Sequence, residues 1–311
     1  MNSNRRDFIK TILAGGLLTG LSAIPLISYA KKQYTKITIL HTNDMHSHID
    51  PFPANDPKFP GMGGFAKRAE IIKDIRKIEN NVMLFDAGDI FQGTPYFNIY
   101  GGELELKLMS QIGYDAATFG NHEFDNGLVG IASKLQFATF PFICSNYDFS
   151  KTILNGKTVP YKIFEKDDIK IGVFGLGVEL AGLVDKKMYG ETKYINPIEK
   201  AAELAHLLKK DLNCDLVICL SHLGYTAKDD NKVSDLVLAK QSKNIDLIIG
   251  GHSHTFINKP YKLYNSDYKD IYICQVGWGG VKLGRLDFYF DKKTKKKFVD
   301  AYTINIFNNQ A

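Results

Sequence analysis

Five short runs of this sequence share one arrangement, in which an apolar, strand-like stretch ends in side chains that can bind a metal ion. The runs are TILHTNDMHSH, MLFDAGD, ATFGNHEFD, VICLSH and LIIGGHSH. Sites in α/β proteins assemble at the carboxyl ends of strands, so we expect these five strand ends to meet in one cleft. The candidate site residues at the strand ends are Asp44, His46, Asp89, Asn121, His122, Asp125, His222, His252 and His254.

The kinds of side chain at these strand ends indicate two metal ions. Imidazole and carboxylate suit Zn, Mn and Fe alike, so the residue types do not choose among these metals. Asp44 and His46 are spaced to reach one ion, and the same spacing lets His252 and His254 serve different ions. Asp89 is the natural bridge, since a carboxylate has two oxygens. Two ions about 3.5–4 Å apart polarise water and clamp a phosphoryl group.

The order of the motifs is more specific than any one of them. A lone D-x-H or G-D is weak evidence, whereas D-x-H, G-D, G-N-H-E, H and G-H-x-H in sequence, each after a strand, is a specific set. His206 is expected to be structural, His41 to support the site from behind, and His48 receives no role. Glycines that should let the backbone turn tightly beside the ligands are Gly88, Gly120, Gly250 and Gly251.

Strand-like and helix-like runs alternate along the chain, which predicts an α/β fold with helices flanking sheet. Helices are expected over 65–78, 103–112, 128–135, 197–212 and 233–240, and a strand is expected at FPFICSN. The end of the chain is predicted to be all strand, with the lysine-rich stretch 292–297 as a hairpin turn. One compact domain from about residue 34 to 308 is therefore expected.

Composition excludes some functions. The formal net charge of +5 is mild, and part of it lies in the first ten residues, so nucleic-acid binding is not indicated. Glycines at 172, 175 and 177 do not complete a dinucleotide-binding loop. The four cysteines match neither a metal motif nor a disulfide scaffold, so we expect buried thiols; they are Cys144, Cys214, Cys219 and Cys274.

The first thirty residues are typical of an export signal. Arg5 and Arg6 precede Phe8, Lys10 and a mostly apolar stretch, and small residues end at Ala30. This pattern resembles a twin-arginine signal peptide, which predicts a periplasmic or otherwise exported protein with its mature domain over 31–311. The alternative is an uncleaved N-terminal anchor. No other apolar run approaches eighteen residues, so no stable membrane span is expected after cleavage.

The ordered motifs resemble those of the calcineurin-like metallophosphoesterase superfamily, specifically the catalytic domain of the 5′-nucleotidases. HTNDMHSH, GDIFQGTPYF, YDAATFGNHEFDNG, SHLG and GGHSH carry the resemblance, which covers nearly the whole mature chain. It implies a four-layer α/β/β/α sandwich. It also implies that His122 is the catalytic imidazole and that Asp125 orients it. The ligands that it implies are Asp44, His46, Asp89 and His254 for one ion, and Asp89, Asn121, His222 and His252 for the other.

The resemblance does not extend to substrate choice. The 5′-nucleotidases usually carry a C-terminal domain that binds the base, and this chain stops soon after the last strands of the catalytic domain. The expected function is hydrolysis of small phosphomonoesters, nucleotides first. The alternatives are a 2′,3′-cyclic nucleotide phosphodiesterase, a thiosulfate-ester hydrolase, and a non-catalytic metal-binding subunit paired with a separate C-terminal-domain chain.

Overall fold

The computed structural model describes residues 33–227 and 232–307, so the predicted signal segment lies outside the described residues. The strands are β1 Tyr34–Thr42, β2 Val82–Asp86, β3 Ala116–Ala117, β4 Tyr147–Asp148, β5 Tyr161–Lys166, β6 Ile169–Leu176, β7 Lys193–Tyr194, β8 Leu216–Ser221, β9 Leu247–Gly250, β10 Tyr261–Tyr264, β11 Asp270–Cys274, β12 Lys282–Asp291 and β13 Lys297–Asn305. The α-helices are α1 Phe65–Ile78, α2 Pro95–Tyr100, α3 Glu103–Ile112, α4 Gly127–Lys134, α5 Lys186–Tyr189, α6 Pro197–His206 and α7 Asp235–Gln241.

Two mixed sheets form the centre of the molecule. The first has the order β13-β12-β1-β2-β3, and the second has the order β10-β11-β9-β8-β6-β5. In the first sheet, β1, β2 and β3 run parallel, while β12 and β13 are antiparallel additions. In the second sheet, β6, β8, β9 and β11 run parallel. The parallel strands carry the five motifs, so their carboxyl ends present the motif residues.

Three hydrophobic clusters define the layers. One cluster fills the space between the sheets and includes Ile39, Phe85 and Leu220. A second packs the first sheet against α1, α3 and α4, and a third packs the second sheet against α6 and α7. A sheet buried on both faces needs nearly continuous apolar strands, which is what VMLFD and LVICLS provide. The predicted four-layer α/β/β/α sandwich is confirmed.

Helix ends are fixed by local side-chain chemistry. Asn196 caps α6 by accepting from the backbone N–H groups of Ile198 and Glu199, and Pro197 occupies the first turn, where its missing N–H costs nothing. Ser234 accepts from the N–H of Val237 at the start of α7. Gly113, with φ of 82°, ends α3 in the left-handed conformation that glycine adopts without strain.

Two predicted elements differ from the structure. FPFICSN is not a strand, because only Phe142 and Ile143 form isolated bridges. Pro141 has no N–H to donate, and the backbone of the segment bonds in turn to Ala117, Val159 and Gly175 and not along one strand. The Asn146 side chain adds two hydrogen bonds to the backbone of Gly177. The helix predicted over 197–212 ends at His206 and continues as a single π-helical turn to Asp211.

The cysteines and the lysine-rich turn agree with the sequence. All four cysteines are buried free thiols, and the stretch after Asp291 turns β12 back into β13. Within residues 33–227 and 232–307, the helices are too short or too polar to cross a membrane.

Candidate metal centre

The strand-end residues converge at one edge of the two sheets. Asp44 follows β1, Asp89 follows β2, Asn121 follows β3, His222 follows β8, and His252 follows β9. Backbone hydrogen bonds tie the first two loops together, since the N–H of Asp44 donates to Gly88 and the N–H of His46 donates to Asp89. The N–H of His252 donates to the Asp44 carboxylate at 3.0 Å. The site therefore joins both sheets.

Four donors form a first group, made of Asp44, His46, Asp89 and His254, with one ligand atom of each within 4.8 Å of the others. His46 Nε2 lies 2.9 Å from His254 Nε2 and 3.9 Å from an oxygen of Asp44. His254 Nε2 lies 3.4 Å from that oxygen. Ring nitrogens and carboxylate oxygens that face one small space are the arrangement that a divalent cation requires.

A second group shares Asp89 with the first and adds His222 and His252. His222 Nε2 lies 3.0 Å from Asp89 Oδ2, and its Nδ1 donates to the carbonyl of Ala87 at 2.7 Å. That second contact fixes the ring and leaves Nε2 facing the donors. His252 Nδ1 lies 2.8 Å from the side-chain oxygen of Asn121, which places Asn121 beside this group. The shared carboxylate is Asp89, the residue that the sequence predicted as the bridge.

Five of these residues have left-handed backbone, an uncommon conformation for any residue other than glycine. The φ angles are 48° for Asp44, 47° for His46, 54° for Asp89, 71° for His252 and 52° for His254. Such strain costs on the order of 1–3 kcal/mol per residue and persists where the surroundings over-determine it. Here the cross-loop hydrogen bonds hold the backbone while the side chains turn toward one another.

Glycines allow this close approach. A Cβ at Gly120 would lie 2.2 Å from Asp89 Oδ1 and 2.6 Å from the His222 ring, and a Cβ at Gly251 would lie 2.7 Å from His222 Nδ1. Gly88 has φ of 90° and would place a Cβ 2.5 Å from Gly120 N. Space therefore requires glycine at Gly88, Gly120 and Gly251, and of these only Gly88 also has a positive φ.

His122 stands at the rim of the centre with Asp125 behind it. Its Nδ1 lies 2.8 Å from Asp125 Oδ2, and its backbone N–H donates to Asp89. The hydrogen bond to Asp125 is the main reason that the pKa of His122 is raised to about 9. His122 is half-buried, with its side chain 36% exposed, so it can reach a molecule bound in the cleft.

The donor set fits divalent metal ions. Burial lowers the pKa of His46, and it lowers the pKa of His252 to about 4, which favours the neutral imidazole that a metal ligand must be. The pKa of His222 is raised to about 10 in spite of its burial, because the Asp89 carboxylate lies beside it, so metal binding at His222 would release a proton. The Nε2 of His222 is fully buried and makes no well-aligned hydrogen bond. Buried polar atoms of this kind are usually satisfied, and a cation beside His222 and Asp89 would satisfy this one.

Glu123 is a site residue to which the sequence assigned no role. Its carboxylate is fully buried and accepts hydrogen bonds from the N–H groups of Asp89, Ile90, Phe91 and Gly120 at 2.6–3.2 Å. It thus ties the loop that carries Asp89 to the loop that carries Asn121. The signal for it was its place in G-N-H-E, where a carboxylate follows the candidate catalytic histidine directly.

The remaining histidines lie outside the two donor groups. His41 is buried in β1, and a Cβ at Gly284 would lie 1.9 Å from its ring. His48 stacks on Phe52 with ring centroids 4.4 Å apart. His206 is a surface residue at the end of α6, with its side chain 64% exposed.

The sequence of this chain is similar to that of proteins in a known family. Residues 37–256 match the calcineurin-like phosphoesterase family. The chain is 32% identical over 279 residues to a snake venom 5′-nucleotidase of Gloydius brevicauda, covering 83% of this chain and 46% of that protein. It is 34% identical over 314 residues to a 5′-nucleotidase of Vibrio parahaemolyticus, covering 92% of this chain and 54% of that protein.

Comparison with solved structures shows the same similarity. The crystal structure of a 5′-nucleotidase precursor from Thermus thermophilus superposes with a TM-score of 0.78 at 29% identity, covering 88% of this chain and 55% of that one. This chain spans about half the length of the curated relatives that it matches. The chain therefore belongs to the calcineurin-like phosphoesterase family of metal-dependent phosphoester hydrolases.

Proposed function

We propose that this protein hydrolyses phosphomonoesters, with nucleotides as the first substrate class, at the centre built on Asp89. The observation that carries the proposal is the shared carboxylate, since Asp89 belongs to both donor groups. The relatives named above are 5′-nucleotidases, and this similarity favours nucleotides over other phosphoesters. The chain spans about half the length of these relatives, so their substrate class is a proposal for this chain.

The proposed ligand sets follow the two groups of donors. Asp44, His46, Asp89 and His254 would hold one divalent ion. Asp89, Asn121, His222 and His252 would hold the other. Zn, Mn and Fe all suit these donors. What two such ions supply when bound is a lowered pKa for water and neutralisation of charge on the transferring phosphoryl group.

His122 and Asp125 are proposed to handle the proton and charge on the leaving-group side. With Nδ1–H donated to Asp125, His122 presents Nε2 toward the cleft. A protonated Nε2 can stabilise charge on a phosphoryl oxygen and give its proton to the departing alkoxide. Asp125 holds the ring in one tautomer. The amide of Asn121 can donate to a phosphoryl oxygen, because its Nδ2 carries hydrogens and no lone pair that would compete.

A substrate panel tests the proposal. Protein loaded with Mn or Zn is assayed against a nucleoside 5′-monophosphate, a 2′,3′-cyclic nucleotide, bis-p-nitrophenyl phosphate and a thiosulfate ester. We expect the monophosphate to have the highest kcat/KM and a chelator to abolish its turnover. Preference for the cyclic nucleotide would make the protein a phosphodiesterase, and turnover of the thiosulfate ester alone would overturn phosphoester chemistry.

A separate chain carrying a 5′-nucleotidase C-terminal domain is the partner that we propose to look for in the neighbouring reading frames. If metal-loaded protein turns over none of the panel alone but does so when such a chain is added, the protein is the metal-binding subunit of a two-chain enzyme. Activity of the chain by itself would contradict that subunit interpretation.

We infer export from the N-terminal sequence alone. The paired arginines Arg5 and Arg6 are the residues that a twin-arginine system reads. Replacing both with lysine should retain the protein inside the cell, as measured by fractionation and immunoblotting. Unchanged export would contradict a twin-arginine route.

A further inference from the structure

An aromatic surface adjoins the first donor group. We call the rings of Phe59, Phe256 and Trp278 the aromatic wall. Trp278 stacks on the ring of His254, with centroids 5.9 Å apart and planes 18° apart. Phe59 lies 6.0 Å from Trp278, and Phe256 lies 5.7 Å from Phe59. The wall therefore begins one ring away from a proposed metal ligand and continues outward.

The rings of the wall are held in place by their surroundings. The backbone of Phe59 is held by Asp56, which accepts a hydrogen bond from its N–H at 2.7 Å. The ring of Phe256 packs against Gly277, where a Cβ would lie 2.1 Å from it. Phe52, which is buried, contacts both Phe59 and Trp278 edge-on. Rings already ordered in this way lose little entropy when a ligand binds.

The wall is also open to solvent. Phe256 is 36% exposed, and Phe59 and Trp278 are partly exposed. Exposed aromatic rings grouped beside a polar cleft are typical of a binding surface. The three rings belong to none of the hydrophobic clusters and to neither donor group, and Lys282 Nζ lies 5.3 Å from the centroid of the Phe256 ring. The exposed faces of the three rings are suited to a flat, apolar ring.

We propose that the aromatic wall binds the aromatic ring of the substrate's leaving group by stacking, so that this chain itself contributes to recognition of a nucleobase. The inference rests on the proposed function for its substrate class. A phosphoryl group held at the donors leaves the rest of the ester free to extend along the neighbouring surface. Base–aromatic stacking tolerates any base, because every base has a π face. The wall would therefore favour nucleotides over phosphate esters without a ring and would not discriminate strongly among bases.

The chain offers a direct probe, because Trp278 is its only tryptophan. Adenosine and ribose are titrated separately into the full-length, metal-loaded protein while tryptophan fluorescence is recorded. We expect saturable quenching by adenosine and none by ribose. Phe59→Leu and Phe256→Leu should each weaken adenosine binding by about tenfold, the size of one lost stacking contact. Tyr268→Leu, at an 87% exposed tyrosine away from the wall, is the matched control and should bind adenosine as the wild type does.

A kinetic readout complements the binding measurement. Adenosine monophosphate and ribose 5-phosphate share the same leaving hydroxyl and differ in the base. The ratio of their kcat/KM values should exceed one in the wild type and fall by about tenfold in Phe59→Leu. Quenching without hydrolysis of either ester would support the wall while contradicting the proposed function. Absence of quenching, or equal adenosine affinity in the wild type and both wall variants, would contradict the proposal that the aromatic wall binds the base.

Discussion

Asp89 and His122 divide the proposed chemistry at the scale of single residues. Asp89 belongs to both donor groups, whereas His122 belongs to neither and donates its backbone N–H to Asp89. Removing the two side chains should therefore have different effects. Loss of Asp89 should abolish metal binding, and loss of His122 should leave metal binding intact.

His122→Ala is expected to lose about 10²–10⁴-fold in kcat, the usual contribution of a general acid or base, while retaining its metal. Steady-state kinetics with a nucleoside monophosphate gives the first quantity, and elemental analysis of the dialysed protein gives the second. Asp89→Ala is the comparison, because it should lose both metal and turnover. Wild-type-like turnover in His122→Ala would remove this residue from the mechanism.

Glu123→Gln tests the carboxylate that organises the two loops. A glutamine amide has one acceptor oxygen, so at least one of the four buried N–H groups that Glu123 now satisfies would face an NH₂ group. We expect a loss of about 1–3 kcal/mol in the free energy of unfolding and a 10–100-fold loss in metal affinity. Chemical denaturation and metal titration measure the two effects.

The control for this variant is Glu165→Gln on the exposed face of β5. A surface change of this kind should stay within about 0.5 kcal/mol of the wild type. If Glu123→Gln behaved like its control in both measurements, the four hydrogen bonds would be of no consequence for the site.

At the scale of elements, the site consists of turns that only particular residues can form. Gly120→Ala places a methyl group where Asp89 Oδ1 and His222 now lie, at 2.2 and 2.6 Å. We expect the metal affinity of this variant to fall by tenfold or more, on the order of the effect of other displaced site residues, because both side chains belong to the second group.

Gly156→Ala provides the comparison. Its φ is 73°, and nothing lies within 4 Å of the added methyl group, so it should lower the free energy of unfolding through backbone strain and leave metal affinity unchanged. Isothermal titration calorimetry with Mn measures the metal affinity of both variants and of the wild type. Equal metal affinity in Gly120→Ala and the wild type would contradict the packing that we describe.

Some of these elements could be predicted from the sequence and others could not. Periodicity was sufficient for α1 and for the buried parallel strands, because a helix with one apolar face and a strand buried on both faces have distinct patterns. It failed at FPFICSN, whose backbone bonds to three different segments and whose Asn146 side chain bonds to Gly177. Such long-range hydrogen bonds leave no periodic signal.

The same contrast holds in the site. The motifs predicted which side chains meet, since each follows a strand and strand ends converge. They did not reveal Glu123, which accepts three of its four backbone hydrogen bonds from the loop that carries Asp89. Nor did they reveal the aromatic wall, because Phe59 and Trp278 are distant in sequence and meet only when the loop between β1 and α1 lies beside the segment after β11.

At the scale of the whole molecule, the centre holds the two sheets together. Asp44 comes from the first sheet and His252 from the second, and they are joined by a hydrogen bond between the carboxylate and the backbone N–H. Bound metal should therefore stabilise the entire fold, since a ligand that binds only the native state adds RT ln(1 + [L]/Kd) to the free energy of unfolding.

Chelation gives the corresponding prediction. Apo protein should unfold at a lower temperature, and Mn added at about one hundred times its Kd should restore about 2.7 kcal/mol. Differential scanning calorimetry across a Mn titration measures this shift. His206→Ala, on the surface and outside both groups, should respond to Mn as the wild type does. A Tm independent of Mn would mean that the donors do not bind it in the native state.

Anomalous diffraction from crystals grown with Mn would show whether the Asp89 carboxylate joins two metal sites. We expect two anomalous peaks about 3.5–4 Å apart. One should lie against Asp44, His46 and His254, the other against Asn121, His222 and His252, with Asp89 touching both. A single peak, or peaks away from Asp89, would contradict this arrangement.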